Sequence, residues 1–205
     1  MSIYEIKNRA TRHAWYTGNM NTQTLILAGG CFWCVEHDLR DAVGVTQILS
    51  GYTGDTQDNA NYYAVASHKT MHREAVEVTY DANVTSYRAL LQFLIDHIDP
   101  TDSTGQFADK GYQYQPAIYY ANNDEKEIAE SVLAELKDSH MYDKEIVVAI
   151  EERKPFYKAE EEHQNYAEKN KVHYALYRNG SGRENFVNKT CAIREEKKLN
   201  WKLAK

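Results

Sequence analysis

The stretch that most constrains this chain is Leu25-Ile26-Leu27-Ala28-Gly29-Gly30-Cys31-Phe32-Trp33-Cys34-Val35-Glu36. A short apolar run leads in, two glycines follow, and a helix-compatible segment leads out. Paired glycines let the backbone turn where a Cβ would obstruct it, so the pattern reads as strand, tight turn and helix. Cys31 then falls at or near the helix N-terminus, where unpaired N–H groups and the helix dipole favour an anion. A thiol placed there is expected to have its pKa lowered toward the thiolate, the nucleophilic form.

Around this stretch the chain alternates between the two backbone periods. Strands are expected at Thr24–Ala28, Val43–Tyr52, Glu74–Tyr80, Pro116–Ala121 and Ile146–Ile150. Helices are expected at Phe32–Ala42, at Ser86–Ile98 with Ser86 as N-cap, and at Asp124–His140, with a short acidic helix within Ala159–Asn170. Asp99–Gly111 reads as a long polar loop after the Ser86 helix, with Pro100 barring its continuation. This order implies an α+β fold, a two-layer sandwich of helices packed on one mixed sheet. The core is expected over 24–186, with an N-terminal arm at 1–23 and a basic C-terminal tail at 187–205.

Composition narrows the function classes. A formal charge of -6 over 205 residues gives no nucleic-acid footprint. No apolar run is long enough to cross a bilayer, and Met1–Thr24 has no apolar signal core, so a cytoplasmic protein is expected. Three cysteines are too few for a disulfide scaffold. The 16 tyrosines against 5 phenylalanines supply many rings with hydroxyl tips, suited to lining a polar pocket or to half-buried surface.

Cys31 and Cys34 share one helix face at their three-residue spacing and can meet across the first turn. By itself the pair fits a redox dithiol, as in thioredoxin-like proteins, or two thiols buried as small hydrophobes. A zinc site lacks a second cysteine pair, and His68 and His72 lack the glutamate of a His-Glu-x-x-His site.

The longer string is more specific. Gly29-Gly30-Cys31-Phe32-Trp33-Cys34 resembles the active-site signature of peptide methionine sulfoxide reductase A. Ser50-Gly51-Tyr52-Thr53-Gly54, His72-Arg73-Glu74-Ala75-Val76, Asp99-Pro100-Thr101-Asp102, Gly105-Gln106-Phe107-Ala108-Asp109 and Tyr114-Gln115-Pro116-Ala117-Ile118-Tyr119 look like that family too. So do Pro155-Phe156-Tyr157-Lys158-Ala159-Glu160 and His163-Gln164, all in the family's order.

The resemblance implies a ferredoxin-like plait variant with irregular terminal extensions, and an enzyme that reduces methionine S-sulfoxide, free or in oxidised proteins. It implies Cys31 as the nucleophile that ends as a sulfenic acid, Glu74 as the acid on the sulfoxide oxygen, and Tyr62 and Tyr114 as hydroxyl donors to that oxygen. Phe32 and Trp33 would cage the S-methyl group, Asp109 would sit near the nucleophile, and His163 would lie near the site. Cys34 is the implied resolving cysteine, with thioredoxin or dithiothreitol as reductant. No metal or organic cofactor is implied, and a monomer is expected. Cys191, beyond the matching stretch, could instead take the disulfide onward.

Three departures from the family pattern stand out: Met71 before His72 where glycine is common, Gln115 where arginine is frequent, and Asn59-Ala60-Asn61-Tyr62 without the usual proline. The last is expected to leave Tyr62 less rigidly placed. Two other functions fit the cysteines alone: a general disulfide oxidoreductase, and a thiol redox sensor without turnover. Both leave Glu74, Tyr62 and Tyr114 without a task.

Overall fold

Successive side chains of a strand point to opposite faces, and in Leu25-Ile26-Leu27-Ala28 all of them are buried. That places β1 (Thr22–Ala28) in the middle of a sheet covered on both sides. The computed structural model describes residues 20–197. Most of the arm expected over 1–23, and the last residues of the expected tail, lie outside them.

The sheet has six strands in the order β7-β6-β1-β3-β2-β8. β1 runs antiparallel to β3 (Arg73–Asp81) and to β6 (Ala117–Tyr120). β2 (Val45–Thr53) runs antiparallel to β3 and to β8 (Phe156–Lys158), while β7 (Ala149–Glu152) is parallel to β6. The sheet is therefore mixed, as expected for the α+β class. Gly105–Gln106 and Asp109–Lys110 pair as a separate two-stranded ribbon, β4 and β5, inside the loop expected over Asp99–Gly111.

Leu25, Leu27, Val76, Val78 and Ile118 face the main core under helices α1 (Phe32–Arg40), α3 (Tyr87–Asp96) and α4 (Asn123–Asp138). Ser86 caps α3 by accepting the Ala89 N–H at 3.2 Å, and its Leu90, Leu91, Leu94 and Ile95 are buried. The opposite face carries a smaller core of Ile26, Ala28, Ala75, Ala117 and Tyr119. A short helix, α2 (Tyr62–Ala66), lies between β2 and β3. Among the described residues no helix is long and apolar enough to cross a membrane.

The C-terminal third departs from the sequence reading. β8 was not expected; it is a three-residue edge strand held by pairing with β2. The strand expected at Ile146–Ile150 starts later, because the Val147 N–H bonds to the Pro100 carbonyl instead of a ladder partner. The single acidic helix over Ala159–Asn170 is a 3-10 turn at Glu161–His163 and a helical turn, α5 (Tyr166–Lys169), separated by Asn165 at φ +55°. Helices α6 (Lys171–Gly180) and α7 (Arg183–Lys197) follow. α7 runs unbroken through Phe186-Val187, where the core was expected to end, and buries Val187 and Thr190 beyond that point.

Candidate active site

The turn between β1 and α1 is shaped by what crowds it. Gly30 has φ +86°, and a Cβ there would lie 2.5 Å from Gln106 Cβ and 2.8 Å from Arg183 Nη2. Arg183, at the start of α7, is 1% exposed and donates to the carbonyls of Gly29 at 2.8 Å and His97 at 2.9 Å. A buried cation thus clamps the turn that presents Cys31, which stands at the N-cap of α1.

The first N–H of α1, from Phe32, donates to Glu74 Oε2 at 3.0 Å. Glu74 enters from β3, is 2% exposed, and has its pKa pushed up to about 8, by burial above all. The Phe32 N–H opposes that rise, and the negative charges of Asp109 and Cys34 add to it. Glu74 is accordingly protonated at neutral pH.

Cys31 and Cys34 pack together with Ala167 and Tyr174, against the rings of Trp33 and Tyr177. Here the structure corrects the expectation of a depressed Cys31 pKa. Burial pushes the Cys31 thiol well up, and its hydrogen bond to Cys34 and the charges of Cys34 and Glu74 push it the same way. A hydrogen bond from Tyr177 acts in the opposite direction. Cys34 is lowered to about 7, chiefly by the hydrogen bond from Cys31, against burial and with help from Arg183. The helix-start argument left out the cost of burying charge and the second thiol, with which Cys31 is coupled.

Tyr62 and Tyr114 come to this centre from α2 and from a 3-10 turn at Tyr112–Tyr114. Burial first, then the nearby charges of Glu74, Cys31 and Asp109, push Tyr62 up to about 12. The same groups raise Tyr114, again after burial, so both hydroxyls remain donors. Hydrogen bonds tie down the proline-free loop around Tyr62. Asn61 caps α2 by accepting the Ala64 N–H at 3.0 Å, and Glu160 accepts the Tyr62 N–H at 2.9 Å and the Tyr52 hydroxyl at 2.8 Å. Neighbouring Tyr63 is 76% exposed and lies under Lys69.

The aromatic wall is broader than Phe32 and Trp33. Phe32 is fully buried, backing the half-buried rings of Trp33 and Tyr62. His163 is also buried; it accepts the Trp33 Nε1–H at 3.2 Å and stacks on Tyr62 at 4.3 Å. Burial lowers its pKa, so it is a neutral acceptor that fixes the indole. Tyr166 of α5 stacks on Trp33 at 3.8 Å and 7°, and Tyr177 of α6 meets it edge-on at 5.9 Å. Asp109, on β5, accepts the Tyr177 hydroxyl, and burial raises its carboxyl above the ordinary range.

Cys191 lies exposed on α7, eight residues or about 12 Å of helix beyond Arg183. The departures at Met71 and Gln115 lie off the centre: Met71 is 58% exposed, and the Gln115 side chain donates to the Ser103 carbonyl at 2.7 Å. Among the described residues no cluster of metal-ligating side chains is found.

A sequence model of the peptide methionine sulfoxide reductase family matches residues 23–195. This chain belongs to that family. It is 44% identical over 160 residues to the peptide methionine sulfoxide reductase MsrA of Bacillus velezensis, covering 78% of this chain and 90% of the relative. The fold resembles Mxr1 of Saccharomyces cerevisiae in its reduced form, with a TM-score of 0.69 and 29% identity over 73% of this chain and 86% of the other. Methionine sulfoxide reductase A of Corynebacterium diphtheriae is similar at a TM-score of 0.65 and 29% identity, over 76% and 78% of the two chains.

Sequence reasoning named Cys31, Cys34, Glu74, Tyr62 and Tyr114, which the structure brings together, but missed Glu160, Tyr166, Tyr177 and Arg183, which pack around them. Glu160 stood within a quoted family string and carried no role. The other three lie beyond Asn165 in the C-terminal third and meet the site only through contacts with distant segments.

Proposed function

We propose that this chain reduces the S epimer of methionine sulfoxide, free and in oxidised proteins, acting as a cytoplasmic monomer without metal or organic cofactor. The observation that carries the reading is the buried Glu74 carboxyl, which accepts the Phe32 N–H at 3.0 Å and so lies at the first turn of α1 beside Cys31. Reduction must remove an oxygen as water, and a neutral buried carboxyl is the group that supplies a proton to it. Thiol–disulfide exchange removes no oxygen and gives the Tyr62 and Tyr114 hydroxyls no task.

In the proposed reaction Tyr62 and Tyr114 donate to the sulfoxide oxygen, and Glu74 protonates it as Cys31 attacks sulfur, its thiol proton passing to Cys34. The S–O bond breaks, methionine leaves, and Cys31 holds the oxygen as a sulfenic acid. Trp33 and Tyr62 offer ring surface to the S-methyl group, with Phe32 behind them and His163 fixing the indole. Cys34, at about 7 already part thiolate, attacks the sulfenic sulfur and expels water. A thioredoxin-type dithiol then reduces the Cys31–Cys34 disulfide by exchange. The catalytic unit is 24–186 together with the α7 residues that pack on it.

The test is a mixture of both sulfoxide epimers with dithiothreitol, followed by chiral separation. Loss of the S epimer alone is expected. Loss of neither epimer overturns the reading.

A further inference from the structure

Arg183 reaches the β1–α1 turn from α7 and takes part in none of the steps above. It is buried, and among the described residues its guanidinium forms no ion pair. Burying a charge without a counter-ion is unfavourable unless hydrogen bonds and packing compensate. Here the compensation comes from three separate segments. Nη2 donates to the Gly29 carbonyl at 2.8 Å, in the turn that presents Cys31, and Nη1 donates to the His97 carbonyl at 2.9 Å, just past α3. The guanidinium also lies 4.7 Å from the centre of the Phe107 ring, in the turn between β4 and β5. From this junction, and resting on the sulfoxide reductase reading, we infer that Arg183 is a positioning residue, which fixes the Cys31 turn against the β4–β5 ribbon for attack on the sulfoxide.

The ribbon needs such a hold. Phe107 has φ +56°, a left-handed conformation that a bulky residue keeps only when its surroundings impose it. Two residues of α7 meet its ring: Arg183, and Phe186 edge-on at 5.4 Å. Gln106, one residue earlier, accepts the Asp99 N–H at 2.8 Å and donates to the Asp99 carbonyl at 2.7 Å. Gln106 also leaves no room for a Cβ at Gly30. Asp109, two residues after Phe107, accepts the Tyr177 hydroxyl, and Tyr177 packs on the cluster of Cys31 and Cys34. The ribbon therefore meets the cysteine turn at Gly30 and the cysteine cluster through Tyr177. A guanidinium suits the junction, because its planar fork bonds two carbonyls at once while its face lies on a ring; an ammonium cannot do both. A shift of Cys31 relative to Glu74 slows attack, while Trp33 and Tyr62 still offer their rings to the methyl group.

The test is enzyme in excess over N-acetylmethionine S-sulfoxide without reductant, with the limiting rate of sulfide formation and the half-saturating enzyme concentration measured separately. Wild type must form sulfide; its failure would overturn the reductase reading itself and not the role of Arg183 alone. Arg183→Lys is expected to slow the limiting rate about tenfold or more and to leave half-saturation within about threefold of wild type. Val132→Ala, on the buried face of α4, is the stability control: it should lower the denaturant midpoint and keep the rate within about twofold. A folded Arg183→Lys variant within about twofold of the wild-type rate would overturn the inference, and so would an equal loss of rate in Val132→Ala. Phe107→Leu gives a second reading that stands even where Arg183→Lys does not fold. It takes the ring from the guanidinium and should slow the limiting rate about threefold or more, whereas an unchanged rate would overturn the inference. Added to Arg183→Lys, it should cost little beyond the slower single variant, because one clamp is already lost; losses that multiply would overturn the inference.

Discussion

Phe32 and Glu74 stand 42 residues apart in the chain, and the Phe32 N–H donates to the Glu74 carboxyl at 3.0 Å. The bond ties the helix that begins after Cys31 to the strand that carries Glu74. It also sets a pH dependence. The ordinary glutamate value is 4.5 and the folded value about 8, so the native state holds this proton more tightly than the unfolded chain. Its contribution to stability is full below about 4.5 and is lost as pH rises through about 8. Reduction should fall over the upper part of the same window as the acid ionises.

Glu74→Gln separates these two effects. Glutamine still accepts the Phe32 N–H but donates no acidic proton, and it does not titrate. Single-turnover sulfide formation should drop about 100-fold or more. Urea unfolding should show the variant gaining on wild type from about pH 5 to about pH 9. An unchanged turnover rate removes Glu74 as the acid.

Glu160 offers a prediction about placement. It holds the backbone of Tyr62 and the hydroxyl of Tyr52 through its two oxygens. Glu160→Ala should lower kcat about 10- to 100-fold by shifting Tyr62, with a smaller effect on KM. Adding Tyr62→Phe to that variant should cost little more. Multiplying losses in the double variant would place the action of Glu160 elsewhere.

Gly30→Ala tests the turn itself. The new methyl meets Gln106 and Arg183 at a positive φ, so stability should fall by about 2–4 kcal/mol. Denaturant midpoints at constant slope measure this. A loss below about 0.5 kcal/mol would show that the turn relaxes freely.

Much of this could be read from the sequence where the interactions are local. The glycine pair predicts the turn, the leucine stripe predicts α3, and alternation places Glu74 on a strand. What could not be read is set by contacts between distant segments. β8 is too short to carry a pattern and exists because β2 offers a partner. Tyr177 is one of 16 tyrosines and meets Trp33 and Asp109 only when α6 folds back on them. The Cys31 thiol was misjudged for the same reason: the local helix start was visible, but its burial beside Cys34 was not.

The central claim is that oxygen passes from methionine sulfoxide to Cys31 and is expelled by Cys34. The direct measurement is one turnover without reductant, with the sulfide counted and the cysteine linkages mapped by peptide mass. The account predicts about one sulfide per enzyme and a disulfide joining Cys31 to Cys34, and in Cys34→Ser one sulfide with a persistent Cys31 sulfenic acid. Sulfide formed equally by Cys31→Ser, or a disulfide reaching Cys191 in place of Cys34, would contradict it.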